Sequence, residues 1–292
     1  MLNEQTKILF VINPKSGVGK QKKVESLIEQ FLNKQIFFPT IEYTQYTGHA
    51  KEICAKRKTE FDIICLVGGD GTINEGASSL INSNTALAII PTGSGNGLAR
   101  HLKIPLKTDE AIKKLNSYNF KFIDACKINE QYFFNVAGIG FDGLIAHKFA
   151  TFGKRGFSSY LKIVFSEFSK YKDQKFKLFI DSNEVNNKAF MISLANSSQF
   201  GNNVLIAPKA KIDDGLLNVV VLRKFPMIVA PVLAFRLFTK SIHKSCFVTN
   251  YTCKHLEIHS TENVFSHIDG EPSDLKFPVK VEVLPKSLKV VI

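Results

Sequence analysis

The residues best suited to chemistry lie in the segment GGDGTINE, at positions 68–75. Asp70 is its only carboxylate until Glu75, and Gly68, Gly69 and Gly71 surround it. Glycine accepts positive φ and lets a ligand approach the backbone, so a strand that ends in such a loop and opens into a helix is typical of a phosphate site. Thr72 and Asn74 are predicted to cap that helix, which would leave main-chain amides for an anion.

Two further segments repeat this pattern. NPKSG follows the apolar run 7–12, and PTGSGNGLAR follows ALAII. Parallel strands that alternate with helices bring their carboxyl ends to one edge of a sheet, where open α/β folds bind ligands. The sequence therefore predicts a nucleotide site at this edge. None of the three loops fits the usual dinucleotide fingerprint or the P-loop pattern.

The elements that must position these loops can be read from the apolar periodicity. Strands are predicted at 7–13, 37–46 and 61–67, with an amphipathic helix over Val24 to Leu32 and another that starts near Thr47, itself a candidate cap or ligand contact.

After about Phe122, strand-like runs dominate, with predicted helices only at Ser158 to Ser169 and Met227 to Ser241. The predicted fold is an N-terminal open α/β domain, 1–123, and a C-terminal antiparallel β-sandwich domain, 124–285. At 292 residues the chain is long enough for two such domains.

The composition limits the classes of partner that the protein could bind. The net charge of +12 fits an anionic membrane, a polyphosphate ligand or nucleic acid, and the lack of Trp and of a Lys/Arg-dense arm places nucleic acid last. The five cysteines share no CxxC spacing, which indicates reduced thiols in a cytoplasmic protein. No signal peptide and no apolar window long enough to span a bilayer is found, so a soluble or peripheral protein is expected.

Six segments in this order resemble the diacylglycerol kinase and sphingosine kinase family of lipid kinases. They are NPKSG, TGHA, GGDGTINE, PTGSGNGLAR, APKAKIDDGLLNVVVL and IDGEP, and they cover nearly the whole chain. The resemblance implies an ATP-dependent transfer of the γ-phosphoryl group to a lipid hydroxyl, with a place in phospholipid biosynthesis. It also implies that KSLKVVI, 286–292, returns as a strand to the first domain.

The resemblance assigns roles to individual residues. ATP phosphates would lie against Asn13, Pro14, Lys15, Ser16 and Gly17 and against Gly68 to Asn74, with hydroxyl contacts from Thr47 and Ser94. Asp70 would organise the Mg²⁺ that accompanies ATP. Glu271, in IDGEP, would be the general base that takes the proton from the lipid hydroxyl.

Two further assignments have ordinary structural alternatives. A second, structural Mg²⁺ would be bound by the Asp214 carboxylate and the main-chain oxygens of Lys211 and Leu216, although Asp214 with Gly215 also reads as a plain turn. Asp142, in GIGFDG, resembles the acidic residue with which sphingosine kinases hold the acceptor, but a carboxylate in a glycine-rich turn can equally be structural. Lys154 and Arg155 would either contact phosphates or stay solvated.

Some questions stay open at this level. PTGSGN departs from the GTxN form of bacterial diacylglycerol kinases, which leaves the acceptor lipid undecided between diacylglycerol and a sphingoid base. A nicotinamide-dinucleotide kinase and a non-catalytic sensor of the same fold are the alternatives. The segment 223–244, apolar and flanked by basic residues, would either lie on an anionic membrane or pack as an ordinary helix. The oligomeric state, a homodimer included, is undetermined.

Overall fold

The computed structural model describes residues 5–17, 23–152 and 157–292, with the backbone alone at 157–160. Lys154 and Arg155 lie outside the described residues. The chain divides into two compact units: Met1–Ala125 with Pro285–Ile292, called here the N-terminal unit, and Cys126–Leu284, called here the C-terminal unit.

The N-terminal unit is built on a parallel sheet. Its strands are β1 (Thr6–Ile12), β2 (Phe37–Tyr43), β3 (Ile63–Gly68) and β4 (Ala86–Pro91), in the order β2-β1-β3-β4. The residues of β3 and β4 are buried throughout, as expected for central parallel strands covered on both faces. The last part of the chain joins this sheet, since Val290 pairs with Leu87 in parallel.

Within the described residues, five helices connect and cover these strands. They are α1 (Val24–Phe31), α2 (His49–Arg57), α3 (Asp70–Leu80), α4 (Gly97–His101) and α5 (Thr108–Leu115). α2 packs on α3, and α1 packs on α5. The predicted caps are wrong in two places: α2 starts after Gly48 and α3 after Gly69, and neither start has a side-chain cap, so Thr47, Thr72 and Asn74 do not cap.

The C-terminal unit contains two antiparallel sheets. One has the order β12-β11-β10-β7-β14-β15, and the other contains β9, β8, β13 and the first part of β16. The strand bounds are β7 Val136–Gly140, β8 Gln174–Ile180, β9 Asn183–Ala189, β10 Met191–Ala195, β11 Leu217–Leu222, β12 Val248–Cys253, β13 His255–His259, β14 Ser266–Ile268, β15 Glu271–Ser273 and β16 Val279–Val291. Strands β5 (Phe120–Ile128) and β6 (Gln131–Phe133) pair as a hairpin.

A single apolar core joins the two sheets. Ile139, Ile192 and Val219 of the first sheet share it with Leu178 and Leu256 of the second. The α/β domain followed by an antiparallel β-sandwich is therefore confirmed.

Helices cover the outer face of the first sheet in the C-terminal unit. α6 (Phe141–Thr151) and α7 (Phe157–Phe168) pack on each other, and Phe141, Leu144 and Phe168 lie in a second apolar cluster with residues of β7 and β10. α7 agrees closely with the predicted helix. In the second predicted segment, a 3₁₀ turn (Met227–Val229) leads into α8 (Ala230–Phe238). The sequence pattern does not predict α6, because its first residues have the pattern of a strand end followed by a turn.

Candidate active site

Three loops meet at the carboxyl edge of the parallel sheet in the N-terminal unit. They follow β1, β3 and β4, and we call them together the phosphate rim, residues 13–17, 69–74 and 92–97. The amide of Asn13 donates to the carbonyl of Val67, and the amide of Thr92 donates to the carbonyl of Gly68 (2.9 Å each). The backbone of each outer loop is thus fixed to the end of β3.

Side chains connect the first loop to the other two. Asn13 Nδ2 donates to Thr72 Oγ1 (2.8 Å), and the hydroxyls of Ser16 and Thr92 are hydrogen bonded at 2.7 Å. The Asn13 Oδ1 atom accepts the Lys15 amide (2.9 Å), which shapes the loop as an Asx turn. Pro14 and Lys15 are exposed beyond this turn.

Asp70 holds the third loop. Its Oδ2 accepts the amide of Asn96 and its Oδ1 accepts the amide of Gly97, both at 2.8 Å. These residues begin α4, so the carboxylate of one loop caps the helix that follows the next loop. A charged acceptor with two amide donors makes short, strong hydrogen bonds, and Asp70 therefore has a structural task beside any ligand contact.

The glycines of the rim, and Gly68 directly before it, are explained by close packing of the backbone. A Cβ at Gly93 would lie 2.7 Å from the Gly69 Cα, one at Gly95 would lie 2.8 Å from Asp70 Oδ2, and one at Gly68 would lie 2.5 Å from the Thr72 Cβ. Gly17 has φ of +67° and faces the Thr92 carbonyl. These positions require glycine for the close approach of the loops, whether or not a phosphate is bound.

The remaining predicted nucleotide contacts lie around this rim. Thr47 is exposed next to Gly48, whose amide donates to Glu75 Oε1 of α3 (2.8 Å). Ser94 is exposed in the third loop, and Asn74 is half-buried in α3. Asn96 was not predicted: it is buried with φ of +51°, its Nδ2 donates to the Gly93 carbonyl (2.8 Å), and within the described residues its Oδ1 has no hydrogen-bond partner.

In the C-terminal unit, the IDGEP segment forms the tight hairpin β14-β15. Its two turn residues, Asp269 and Gly270, have φ of +48° and +89°, as a two-residue turn of the primed type requires. The buried carboxylate of Asp269 accepts three amides, those of Phe134 (3.0 Å), Asn135 (2.9 Å) and Val136 (3.1 Å). The turn is thereby clamped to the start of β7, while Glu271, directly after it, is exposed.

Asp142 lies in the first turn of α6 and is almost fully enclosed. It is 7% exposed; its Oδ1 accepts the Gly143 amide (2.9 Å) and its Oδ2 accepts the Ser193 hydroxyl (3.2 Å). His267 Nε2 is 3.5 Å from the same Oδ2. This environment favours the structural alternative for Asp142, because its carboxylate is used by its own neighbours. Ser193 and His267 were not predicted, since single Ser and His residues carry no sequence signal.

The segment proposed for a second Mg²⁺ forms a turn before β11. Asp214 Oδ1 accepts the Leu216 amide (3.1 Å), Gly215 has φ of +72°, and Asp214 and Lys211 are exposed. One carboxylate with two main-chain oxygens is an all-oxygen set of the kind Mg²⁺ takes together with waters. In the described parts of the chain no group of three His, Cys, Asp or Glu side chains could hold a metal ion.

Comparison with known proteins decides the family. The model of the diacylglycerol kinase catalytic domain matches residues 7–128, and that of the YegS C-terminal NAD kinase beta sandwich-like domain matches residues 135–292. A "Probable lipid kinase YegS-like" from Yersinia enterocolitica is 30% identical over 78% of each chain. The chain belongs to the YegS-like lipid kinase family.

Further relatives agree over nearly the full length of this lipid kinase. A "Probable lipid kinase YegS-like" from Pectobacterium atrosepticum is 27% identical over 96% of this chain and 94% of its own. A crystal structure of a "putative diacylglycerol kinase" from Bacillus anthracis superposes with a TM-score of 0.81, 25% identity and coverage of 99% and 98%. The family resemblance and its kinase activity class, predicted from six short segments, are therefore confirmed.

Proposed function

We propose that this lipid kinase uses ATP and transfers its γ-phosphoryl group to a hydroxyl of diacylglycerol or of a sphingoid base. The observation that carries the proposal is the phosphate rim, in which hydrogen bonds of Asn13, Ser16 and Asp70 tie three loops together at the carboxyl edge of a parallel sheet. In a member of a lipid kinase family, this edge is the expected place for the phosphates of the donor.

The N-terminal unit would bind the donor. The phosphates of ATP would lie against Asn13–Gly17 and the start of α3, where helix amides and the helix dipole favour an anion. Thr47 and Ser94 would add hydroxyl contacts from exposed positions. Asp70 is the carboxylate of the rim that would hold the Mg²⁺ that accompanies ATP, and this ion would supply positive charge against the phosphates.

The C-terminal unit would supply the base. Glu271 is an exposed carboxylate on a hairpin that Asp269 holds rigidly, so its position is fixed by backbone and not by its own packing. It would accept the proton of the lipid hydroxyl while the new oxygen to phosphorus bond forms. The bond between the γ-phosphorus and the bridging oxygen breaks at the same time, and ADP leaves with that electron pair.

A labelled-ATP assay tests this proposal. Purified protein is offered diacylglycerol, monoacylglycerol, sphingosine, ceramide and phosphatidylglycerol in mixed micelles, with NAD as a soluble acceptor and Glu271→Gln as the matched variant. We expect a labelled lipid with wild type and a loss of about 10²- to 10⁴-fold with Glu271→Gln. Label in NAD alone would identify a dinucleotide kinase, and turnover unchanged in the variant would remove Glu271 as the base.

The second Mg²⁺ site is a separate proposal. Asp214 with the main-chain oxygens of Lys211 and Leu216 would bind a structural ion next to β11. Without nucleotide, Mg²⁺ is expected to raise the melting temperature of wild type but not of Asp214→Asn. An equal shift in both proteins would contradict the assignment.

The acceptor also implies a location. A lipid with long acyl chains resides in a bilayer, so we propose a cytoplasmic protein that works at the membrane surface. In the described residues, no helix is long and apolar enough to cross a membrane.

A further inference from the structure

The surface of α8 has an unusual composition for a protein in water. Ile228 is 86% exposed and Phe235 is 67% exposed, and Met227, Val232 and Phe238 are also largely exposed. Exposed apolar side chains that occur singly are normal, but five adjacent large ones form a patch that requires explanation. We call these five residues the α8 patch.

The patch begins in the 3₁₀ turn Met227–Val229 and continues along one face of α8. Ile228, Val232, Phe235 and Phe238 follow each other at intervals of four, three and three residues, which places them on one side of a helix with 3.6 residues per turn. The opposite side is already in use: Leu233 is buried and Leu237 packs against the apolar cluster under α6 and α7. α8 is thus apolar on both sides. Packing within the protein accounts for the apolar residues on the buried side only.

The charged side chains of the segment 223–244, which carries the patch, are all positive. Asp173, in the loop before β8, accepts the Lys224 amide (2.9 Å) at the start of this segment. Between Asp214 and Glu257 the chain has no Asp or Glu and has six Lys or Arg residues. Arg223, Lys240 and Lys244 are exposed. Lys240, two residues after the end of α8, has φ of +60°, and the Ser241 amide donates to the Arg236 carbonyl (3.0 Å), so the exposed Lys240 and Lys244 follow the helix closely.

The segment 223–244 contains five Lys and Arg residues, and two of them, Lys224 and Arg236, are withdrawn from the surface. Lys224 Nζ donates to the carbonyls of Phe168 and Tyr171 and lies 3.9 Å from the centroid of the Phe168 ring. Burial lowers the pKa of Lys224. Arg236 is half-buried, and its Nη1 is enclosed. Of the five, Arg223, Lys240 and Lys244 therefore remain exposed.

We infer that the α8 patch inserts into the interface of an anionic lipid bilayer, with these three cations on the lipid head groups. This inference rests on the proposed function, because it states how the kinase reaches a lipid acceptor. The apolar helix face fits the acyl-chain region of such a bilayer, and the cations fit its anionic head groups. A second copy of the chain fits less well, since a symmetric contact through this face would bring the same cations together.

Vesicle sedimentation tests the inference without relying on turnover. Wild type is compared with Ile228→Ser/Phe235→Ser, with Lys240→Gln/Lys244→Gln, and with Phe38→Ser as control, because Phe38 is an exposed aromatic on β2 of the other unit. Vesicles contain phosphatidylcholine alone or with phosphatidylglycerol. All changed side chains are exposed, and equal melting temperatures verify that each variant is folded.

We expect wild type and Phe38→Ser to sediment with the anionic vesicles only. The apolar double variant should bind roughly tenfold or more weakly, and the charge variant should bind more weakly with a reduced dependence on salt. Binding that is equal in all four proteins, or that ignores vesicle charge, would overturn the inference. So would a wild-type dimer that becomes monomeric in the apolar variant, because the patch would then be an interface between copies.

A kinase assay separates failure of this inference from failure of the proposed function. With a short-chain diacylglycerol dissolved in detergent micelles, patch variants should keep wild-type turnover, and with the same acceptor type in vesicles they should lose it. Absence of turnover in every protein would contradict the lipid kinase proposal and leave the sedimentation result standing.

Discussion

The Asp142 carboxylate and the His267 imidazole meet over a glycine, with Oδ2 and Nε2 3.5 Å apart. Gly138 is paired with Ser193 on one side and with His267 on the other, so these three residues form a row across β10, β7 and β14. The Gly270 amide donates to His267 Nδ1 (3.3 Å), which leaves the ring proton on Nε2, facing Asp142.

Gly138 should therefore be intolerant of any side chain. A Cβ there would lie 2.1 Å from Asp142 Oδ2 and 2.4 Å from His267 Nε2. Gly138→Ala is expected to destabilise the protein by about 3 kcal/mol, because it overpacks the site and separates a buried pair. Urea unfolding measures this. Ser193→Ala, which removes one neutral hydrogen bond to the Asp142 carboxylate, should cost only about 1 kcal/mol. Equal costs for the two variants would argue against the requirement for glycine at position 138, below the Asp142 and His267 side chains.

The hairpin of the proposed base offers a test that separates stability from chemistry. Glu271→Gln changes an exposed side chain and should alter the free energy of unfolding by less than about 0.5 kcal/mol. Asp269→Asn, two residues away, replaces one of the two carboxylate oxygens that accept three buried amides by an NH₂ donor. This change should lower the free energy of unfolding by about 1 to 3 kcal/mol.

Turnover completes this test. If Glu271 is the base, Glu271→Gln loses turnover at full stability, whereas Asp269→Asn loses part of both. A Glu271→Gln protein that is inactive because it unfolds at lower urea would contradict the assignment, as would wild-type turnover in that variant.

Much of the N-terminal unit could be predicted because its signals are local. Central parallel strands are continuous apolar runs, and the loops after them are marked by Gly, Ser, Thr and Asn. The role of Asp70 as a cap of α4 could not be read in this way, because its partners Asn96 and Gly97 are 26 and 27 residues further along the chain. The sequence predicts that the Asp70 carboxylate contacts a ligand, and the fold shows that it also accepts hydrogen bonds from two main-chain amides.

In the C-terminal unit the misread element was α6. The glycines of GIGFDG suggest a turn, since glycine is a poor helix former. The structure uses Gly143 for a different purpose: a Cβ at this position would lie 2.4 Å from the carbonyl carbon of Phe265, so only glycine lets α6 approach the strand. Such tertiary contacts override local preference, and the Asp142 environment could not be predicted for the same reason.

The α6 and α7 pair should show a specific pH dependence. Lys148 Nζ of α6 is 3.0 Å from Glu167 Oε1 of α7, and this hydrogen bond lowers the pKa of Glu167 below its ordinary value. The charged carboxylate therefore stabilises the folded state above the ordinary pKa of Glu, and this contribution is lost as the pH falls through the lowered pKa.

Urea midpoints at several pH values measure this effect. Wild type should exceed Glu167→Gln in stability at pH 7, and the difference should shrink on acidification. Glu130→Gln is the control, because Glu130 is 93% exposed and its Lys127 partner is 3.5 Å away; its difference from wild type should stay near zero. A Glu167→Gln difference that does not change with pH would show that the ion pair adds nothing to folding.

Asp70 has a structural role as the cap of α4 and a proposed role in binding the donor, so its substitution should affect stability and turnover together. In Asp70→Asn one acceptor oxygen becomes a donor, so either the Asn96 or the Gly97 amide loses its partner, at a cost of about 1 to 3 kcal/mol. Turnover is expected to fall by about 10²-fold or more, since the rim loses both its charge and its fixed geometry. Asp62→Asn is the matched control: in the described part of the chain its Oδ2 accepts the Lys7 amide (2.8 Å), and it precedes β3, at the opposite edge of the sheet. This variant should lose some stability and keep its turnover. If both variants lost turnover in proportion to stability, Asp70 would be a structural residue alone, and the donor phosphates would have to be held by the loop amides and hydroxyls around it.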